Sequence, residues 1–158
     1  MKKTPIEIPP TFEGDIRHDA EILEKFSEDT SIFKIRPALI VQPKNVSDLN
    51  TLIHYVHTRR GELSVTARSA GTDMSGGPLT DSIVVDMTRY FNQVHAVNTE
   101  FAVTQPGVYY RDFEKETLKH GVILPSYTAS KELNTVGGMV ANNSAGEKSL
   151  TYGKTERY

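Results

Sequence analysis

The stretch VTARSAGTDMSGG, residues 65–77, constrains the fold most, because its three glycines and four serine or threonine residues leave almost no side chain for a core. Glycine adopts positive φ and lets another group approach the backbone closely. Successive main-chain N–H groups can then face one concavity and hold an anion such as phosphate. A second small-residue segment covers residues 126–146. Each segment alone is typical of a surface loop, but two of them, one directly after a predicted strand, favour a ligand site.

Two common phosphate motifs do not fit these segments. Gly71, Gly76 and Gly77 lack the G-x-G-x-x-G spacing of a dinucleotide-binding turn. The letters GEKS at residues 146–149 resemble the end of a P-loop, but Glu147 is inserted before the lysine and no glycine opens the motif. We therefore reject both motifs.

Composition excludes several classes of function. The chain has 18 Lys and Arg against 20 Asp and Glu, so no excess of positive charge favours nucleic acid or a membrane surface as partner. It has no cysteine, which excludes disulfides and metal–thiolate sites and is compatible with a reducing compartment. Its N-terminus lacks the apolar run of a secretory signal, and no segment reaches membrane-spanning length. We expect a cytoplasmic protein without a membrane-spanning segment.

Hydrophobic periodicity predicts an α+β chain. The apolar run 38–41 lies between two prolines and predicts a buried strand, and residues 45–61 predict an amphipathic helix capped by Asn45. Other patterns predict a helix at 19–26, strands at 62–67 and 81–87, a hairpin at 94–107 and a helix at 109–121. The proline-rich residues 1–17 are expected to wrap a surface or stay mobile, and residues 124–158 offer too few apolar residues to predict regular structure.

No residue is a convincing catalytic base or metal ligand. His54 and His57 stand three apart on a predicted helix, but both lie off its apolar stripe and are interpreted as solvated. Tyr109 and Tyr110 could stack on a base, although core packing is the better interpretation for at least one of them. We therefore predict no catalytic residue and no metal site.

Four segments occur in the order and approximate spacing of the FAD-binding domain shared by the vanillyl-alcohol oxidase and p-cresol methylhydroxylase family: RPALIVQPKNVSDL, ARSAGTDMSGG, TQPGVYYRDFE and LPSYTASKELNTVGGMVANNSAGEKSLTYGKT. The chain resembles this family from about residue 27 onward, most closely its D-lactate and glycolate dehydrogenases. The resemblance implies a short mixed sheet flanked by helices. It also implies an N-terminal arm and short helix at 1–30, a first FAD-binding subdomain at 31–123, and a truncated start of the second at 124–158.

The resemblance also implies a set of cofactor contacts. In such proteins the first loop holds the FAD pyrophosphate through backbone N–H groups, a role that falls here to Ser69, Ala70, Gly71, Thr72 and Asp73, with Arg68 adding charge. The second motif lies along the rest of the cofactor, and its matches are Pro125, Ser130, Thr135, Gly137, Gly138, Asn142 and Gly146, with Tyr152 and Gly153 near the flavin. Some relatives attach flavin covalently through a histidine where this chain has Thr72, so noncovalent FAD is expected.

In complete relatives FAD accepts a hydride from a 2-hydroxy acid, and a separate substrate domain supplies the acid and base. This chain ends before that domain, so the resemblance implies only the FAD-binding portion of such a dehydrogenase or oxidase, and its own catalytic activity is left open. Its partner would be the missing C-terminal part of the enzyme or a self-associating copy. Two alternatives stay open: a noncatalytic remnant or binding module without flavin, and a related flavoprotein oxidase with another alcohol substrate.

Overall fold

A four-stranded sheet and a separate two-stranded sheet organise the chain in the computed structural model, which describes residues 5–158. Within those residues the elements are β1 (Asp15–Arg17), α1 (Ala20–Lys25), β2 (Leu39–Gln42), α2 (Val46–Thr58), β3 (Val65–Arg68), β4 (Ile83–Asp86), β5 (Val94–Val97), β6 (Ala102–Thr104), α3 (Tyr110–Leu118), α4 (Val136–Ala141), α5 (Ser149–Tyr152) and a 3₁₀ turn at Thr155–Arg157. They form two compact units. The first comprises the described residues up to 68 together with 73–86, and the second comprises 69–72 and 87–158.

The first unit is built on a mixed sheet with the strand order β1-β2-β4-β3. Strand β4 pairs in parallel with both β2 and β3, while β1 pairs antiparallel with β2. Every residue of β2 and β4 is buried, as expected for the central strands of a parallel arrangement. The apolar runs therefore predicted these strands correctly, and the mixed sheet is confirmed.

The N-terminal arm is fixed to the first unit by Asp48, on the first turn of α2. This carboxylate is 1% exposed and accepts hydrogen bonds from the amides of Glu13 and Lys44, each at 2.8 Å. The strand β1 then follows on the sheet edge, where the sequence predicted only a wrapped or mobile arm. Helix α2 begins as predicted, with the Asn45 side chain accepting from the Asp48 amide at 2.9 Å.

The second unit packs α3 and α4 around its own apolar core. Tyr110 and Met139 are fully buried at its centre, and Tyr110 donates its hydroxyl to the Leu124 carbonyl at 2.8 Å. The other buried members of this cluster are Val108, Phe113, Tyr127 and Val136. Core packing of Tyr110 is thus confirmed. Residues 124–158, for which no regular structure was predicted, form α4, whose Val136 and Met139 join this core, and the short helix α5, which has no buried residue.

No helix formed by residues 5–158 has both the length and the apolar character needed to cross a bilayer.

Candidate functional site

The first glycine-rich loop leaves the carboxyl end of β3, the end of a parallel strand at which ligands gather in open α/β sheets. The amides of Ser69, Ala70 and Gly71 donate no hydrogen bond to any other residue in the range 5–158. Gly71 has a φ of 74°, a conformation that L side chains rarely adopt. The three residues are partly exposed and consecutive, and successive main-chain N–H groups of this kind can form an anion-binding concavity.

The second half of the stretch is closed by Asp73. One oxygen of its carboxylate accepts hydrogen bonds from the Ser75 amide at 2.9 Å, the Ser75 hydroxyl at 2.5 Å and the Gly77 amide at 3.0 Å. The hydrogen bond from the Ser75 side chain holds the pKa of Asp73 below its ordinary value. The Asp73 carboxylate therefore satisfies these donors of the turn. The open amides are those of Ser69, Ala70 and Gly71, which precede the turn.

Arg68 does not carry its charge to the loop as predicted. Its side chain is buried and donates to the carbonyls of Phe26 at 3.0 Å and Glu28 at 2.5 Å. The guanidinium carbon also lies 5.1 Å from the centroid of the Phe26 ring. Burial lowers the pKa of Arg68, while the nearby carboxylates of Asp29 and Asp86 favour its charged form. Because these groups of the first unit occupy the guanidinium, we correct its predicted role as a charge for the phosphates.

Contacts between its two ends close the second glycine-rich segment. The Tyr127 hydroxyl donates to the Glu147 carboxylate at 2.6 Å. A Cβ atom added to Gly146 would lie only 1.7 Å from the Tyr127 carbonyl oxygen, so no residue larger than glycine fits there without movement of the backbone. A Cβ at Gly137 would lie 2.5 Å from the Pro106 side chain. Gly146 therefore permits close packing within the segment itself, and Gly137 permits close packing of the segment against Pro106.

Local partners already occupy the donors of the predicted glycines in this segment. The amide of Gly137 donates to the Pro106 carbonyl at 2.9 Å, that of Gly138 to the Thr135 hydroxyl at 3.2 Å and that of Gly146 to the Ser149 hydroxyl at 2.8 Å. A contact from these residues to a ligand would therefore use their carbonyl or Cα atoms.

The remaining predicted contacts differ in exposure. Pro125 and Thr135 are buried, whereas Asn142 and Tyr152 are exposed. The Ser130 hydroxyl is 2.8 Å from that of Thr128. Gly153 ends α5 with a φ of 91°. Apart from Arg68 and Asp73, every predicted cofactor residue belongs to the second compact unit, which brings residues 69–72 together with the second segment.

Two residues at these segments were missed by sequence reasoning. Asn134 is 5% exposed; its amide nitrogen donates to the Thr128 hydroxyl at 2.8 Å, and its side-chain oxygen has no partner in the described chain. Thr30 contacts the Asp73 carbonyl through both its amide and its hydroxyl. Neither position has a recognisable sequence signal.

The histidines and carboxylates do not assemble a reactive centre. His54 and His57 are exposed, which confirms that they are solvated, and a ring nitrogen of His57 lies 3.0 Å from the Arg60 guanidinium. Within residues 5–158 no three His, Cys, Asp or Glu side chains come close enough together to hold a metal ion.

The family of the chain is decided by its match to the profile described as "FAD binding domain", which covers residues 37–158. The chain belongs to this family. FAD is therefore its cofactor, as the resemblance implied. The open amides of Ser69, Ala70 and Gly71 are a suitable group of donors for the FAD pyrophosphate.

The curated proteins similar to this chain include dehydrogenases and an oxidase subunit. A D-2-hydroxyglutarate dehydrogenase of Pseudomonas putida is 30% identical over 147 residues, which are 91% of this chain and 15% of the relative. Glycolate oxidase subunit GlcD of Escherichia coli is 30% identical over 141 residues, 87% of this chain and 28% of the relative. A D-lactate dehydrogenase of Archaeoglobus fulgidus is 26% identical over 139 residues, 85% of this chain and 31% of the relative. The chain spans less than a third of each.

A solved structure has the same fold. An alkyldihydroxyacetonephosphate synthase superposes with a TM-score of 0.79 at 24% sequence identity, covering 94% of this chain and 30% of the other. The predicted α+β fold, with its short mixed sheet and helices, is therefore confirmed. The chain is an FAD-binding domain homologous to D-2-hydroxyglutarate dehydrogenase, glycolate oxidase subunit GlcD and D-lactate dehydrogenase.

Proposed function

We propose that this chain holds FAD noncovalently, with the amides of residues 69–72 on the pyrophosphate, and that it serves as the cofactor-binding portion of a flavin-dependent 2-hydroxy-acid dehydrogenase. The observation that carries the proposal is the run of open main-chain N–H groups from Ser69 to Gly71 at the end of a parallel strand. When bound, FAD would supply the hydride acceptor for oxidation of an alcohol.

The loop binds the diphosphate through main-chain dipoles rather than through a cation. Arg68 is engaged with carbonyls of the first unit, and the Asp73 carboxylate accepts hydrogen bonds from amides and a hydroxyl of its own turn. A hydrogen bond to a charged group contributes about 1.5–3 kcal/mol, so three such amides would together anchor a diphosphate. The segment's own contribution is to keep these three amides free of other partners.

The remaining contacts of the second unit are proposed to lie along the cofactor. They are Pro125, Ser130, Thr135, Gly137, Gly138, Asn142 and Gly146, with Tyr152 and Gly153 towards the flavin. Their membership of the same compact unit as residues 69–72 supports this assignment. Thr72 stands where some relatives place a flavin-linked histidine, and a threonine hydroxyl does not form that bond. Acid precipitation of the holoprotein should therefore release all flavin into the supernatant.

The substrate class is proposed from the relatives, which are named for D-2-hydroxyglutarate, glycolate and D-lactate. Because the chain spans less than a third of them, we propose that further polypeptide supplies the groups that bind the acid and take its proton. An apolar groove of about 1080 Å³ in the second unit, lined in part by Phe101, Val103, Val140 and Tyr158, supports a covering partner. Those four side chains are 49–64% exposed. The remainder of the enzyme is the proposed occupant, a self-associating copy is the alternative, and the cytoplasm is the proposed location.

Flavin uptake and flavin reduction test the two halves of the proposal separately. The purified chain should become yellow with added FAD and quench its fluorescence. The chain alone should hold flavin without bleaching when D-lactate, glycolate or D-2-hydroxyglutarate is added under anaerobic conditions. The chain assembled with a polypeptide that supplies the acid-binding and proton-accepting groups should bleach with one of these acids. Failure to take up FAD would refute the cofactor site. Bleaching of the chain alone would refute the proposal that further polypeptide supplies the groups that bind the acid and take its proton.

A further inference from the structure

We propose that residues 26–30, the loop clamp, position the open amides of residues 69–71 for the FAD diphosphate, with Thr30 as a positioning residue. The inference rests on the proposed function and deepens it. The clamp follows α1, and its polar contacts reach both residues that flank the loop, Arg68 on one side and Asp73 on the other.

The Arg68 side of the clamp uses two carbonyls. The two terminal nitrogens of the guanidinium donate to Phe26 and Glu28, and the Phe26 ring lies beneath the guanidinium at 5.1 Å. A planar guanidinium fixed by two hydrogen bonds and an aromatic face has little rotational freedom. The residue that precedes the first open amide is therefore held in place through its side chain.

The Asp73 side of the clamp uses Thr30 alone. The Asp73 carbonyl oxygen accepts two hydrogen bonds from this residue, from the amide at 3.1 Å and from the hydroxyl at 2.7 Å. A carbonyl held twice fixes the orientation of the peptide group that follows the four-residue loop. The side chain of Asp73 is held as well, because its carboxylate accepts hydrogen bonds from the amides of Ser75 and Gly77.

The clamp is itself well anchored. Ser27 is fully buried and its carbonyl accepts from the Ile35 amide at 2.9 Å, while the Asp29 carboxylate accepts from the Ser31 amide at 2.8 Å. Phe33, which follows the clamp, packs so closely on Gly76 that an added Cβ would be 2.9 Å from its ring. A loop with both flanks fixed loses less conformational entropy when it binds its ligand, which raises affinity without adding a contact.

Replacing Thr30 by valine removes the hydroxyl donor and keeps the side-chain shape. Loss of one such hydrogen bond should weaken FAD affinity about two- to tenfold. Thr58→Val is the matched control, because the Thr58 hydroxyl donates to the Tyr55 carbonyl at 2.8 Å within α2 and not to a residue that flanks the loop. Thr30→Ser restores the donor and should restore affinity. ADP, which carries the diphosphate without flavin, is titrated in parallel.

The proposal expects weaker FAD and ADP binding for Thr30→Val, recovery for Thr30→Ser, and wild-type affinity for Thr58→Val, with melting temperatures of the FAD-free proteins as the stability readout. Equal affinity of wild type and Thr30→Val would refute the clamp alone. Weaker FAD binding with unchanged ADP binding would also refute it, because the effect would not pass through the diphosphate. A wild-type chain that binds no FAD would refute the proposed function and the clamp with it.

Discussion

Replacing Gly71 by alanine tests whether the open amides depend on their backbone conformation. Gly71 has a φ of 74°, and an L residue there costs roughly 1–2 kcal/mol relative to glycine. For a chain of this size the penalty should lower the melting temperature by about 2–8 °C. If the loop relaxes to avoid the strain, at least one amide turns away from the diphosphate. Losing one hydrogen bond to a charged group should then weaken FAD binding roughly tenfold to a hundredfold.

Gly121→Ala is the matched control for this substitution. Gly121 has a φ of 72°, and a Cβ added there would meet nothing within 4 Å, so alanine brings the same strain without a clash. Both variants should lose similar stability, measured by thermal unfolding of the FAD-free proteins. Only Gly71→Ala should lose FAD affinity, measured by quenching of flavin fluorescence. Equal FAD affinity in the two variants would show that the conformation of Gly71 does not matter for the cofactor.

Three further predictions concern the two glycine-rich segments. The hydrogen bond to Glu147 raises the pKa of Tyr127 to about 12 from an ordinary 10.0, so its contribution to stability is complete below pH 10 and is lost as the pH rises through 12. Phenolate absorbance should therefore show one fewer late-titrating tyrosine in Tyr127→Phe; an unchanged titration would contradict the bond. Gly146→Ala should lower the free energy of unfolding by about 3 kcal/mol or more, measured by thermal unfolding. Gly138→Ala is the control and should lower it much less, because the added Cβ would meet only a hydroxyl at 3.3 Å. Similar losses of stability in the two variants would refute the packing argument. The pKa of Asp73 is lowered from 3.8, so the stability that this carboxylate contributes is present above pH 3.8 and is lost as the pH falls through the lower pKa of the folded state. Asp73→Asn should therefore make the free energy of unfolding fall less steeply with decreasing pH in this range. An unchanged slope would contradict the assignment.

The central strands and the long helix were predictable because local pattern and tertiary environment agree. The run 38–41 is apolar throughout, and β2 is buried on both faces. Asn45 precedes the apolar stripe of α2 and caps it as its type suggests. In these cases the sequence pattern and the final packing select the same structure, so neighbouring residues were sufficient.

The short elements were not predictable, since distant partners stabilise them. Strand β1 is three residues long, two of them charged, and exists because β2 offers an edge to pair with. Helix α4 contains two successive glycines, which disfavour a helix by propensity. It forms because Thr135 caps it and because Val136 and Met139 reach the core of the second unit.

Some features of the candidate site were likewise predictable from the sequence, and others were not. The glycine-rich loop was predictable as an anion site, since the chemistry resides in its own backbone. The direction of Arg68 was not, because its partners Phe26 and Glu28 lie 42 and 40 residues away in the chain. The role of Thr30 was hidden for the same reason, as its partner Asp73 is 43 residues away. Side-chain orientation depends on contacts that no local pattern records.

The central claim is that the main-chain amides of Ser69, Ala70 and Gly71 bind the diphosphate of FAD. Amide chemical shifts of the isotopically labelled protein, at 17.6 kDa, test it directly by titration with FAD and with ADP. We expect the three amide resonances to shift with both ligands, while the Gly77 amide, already held by Asp73, changes little. Saturable FAD binding that leaves the resonances of Ser69, Ala70 and Gly71 unmoved would contradict the claim.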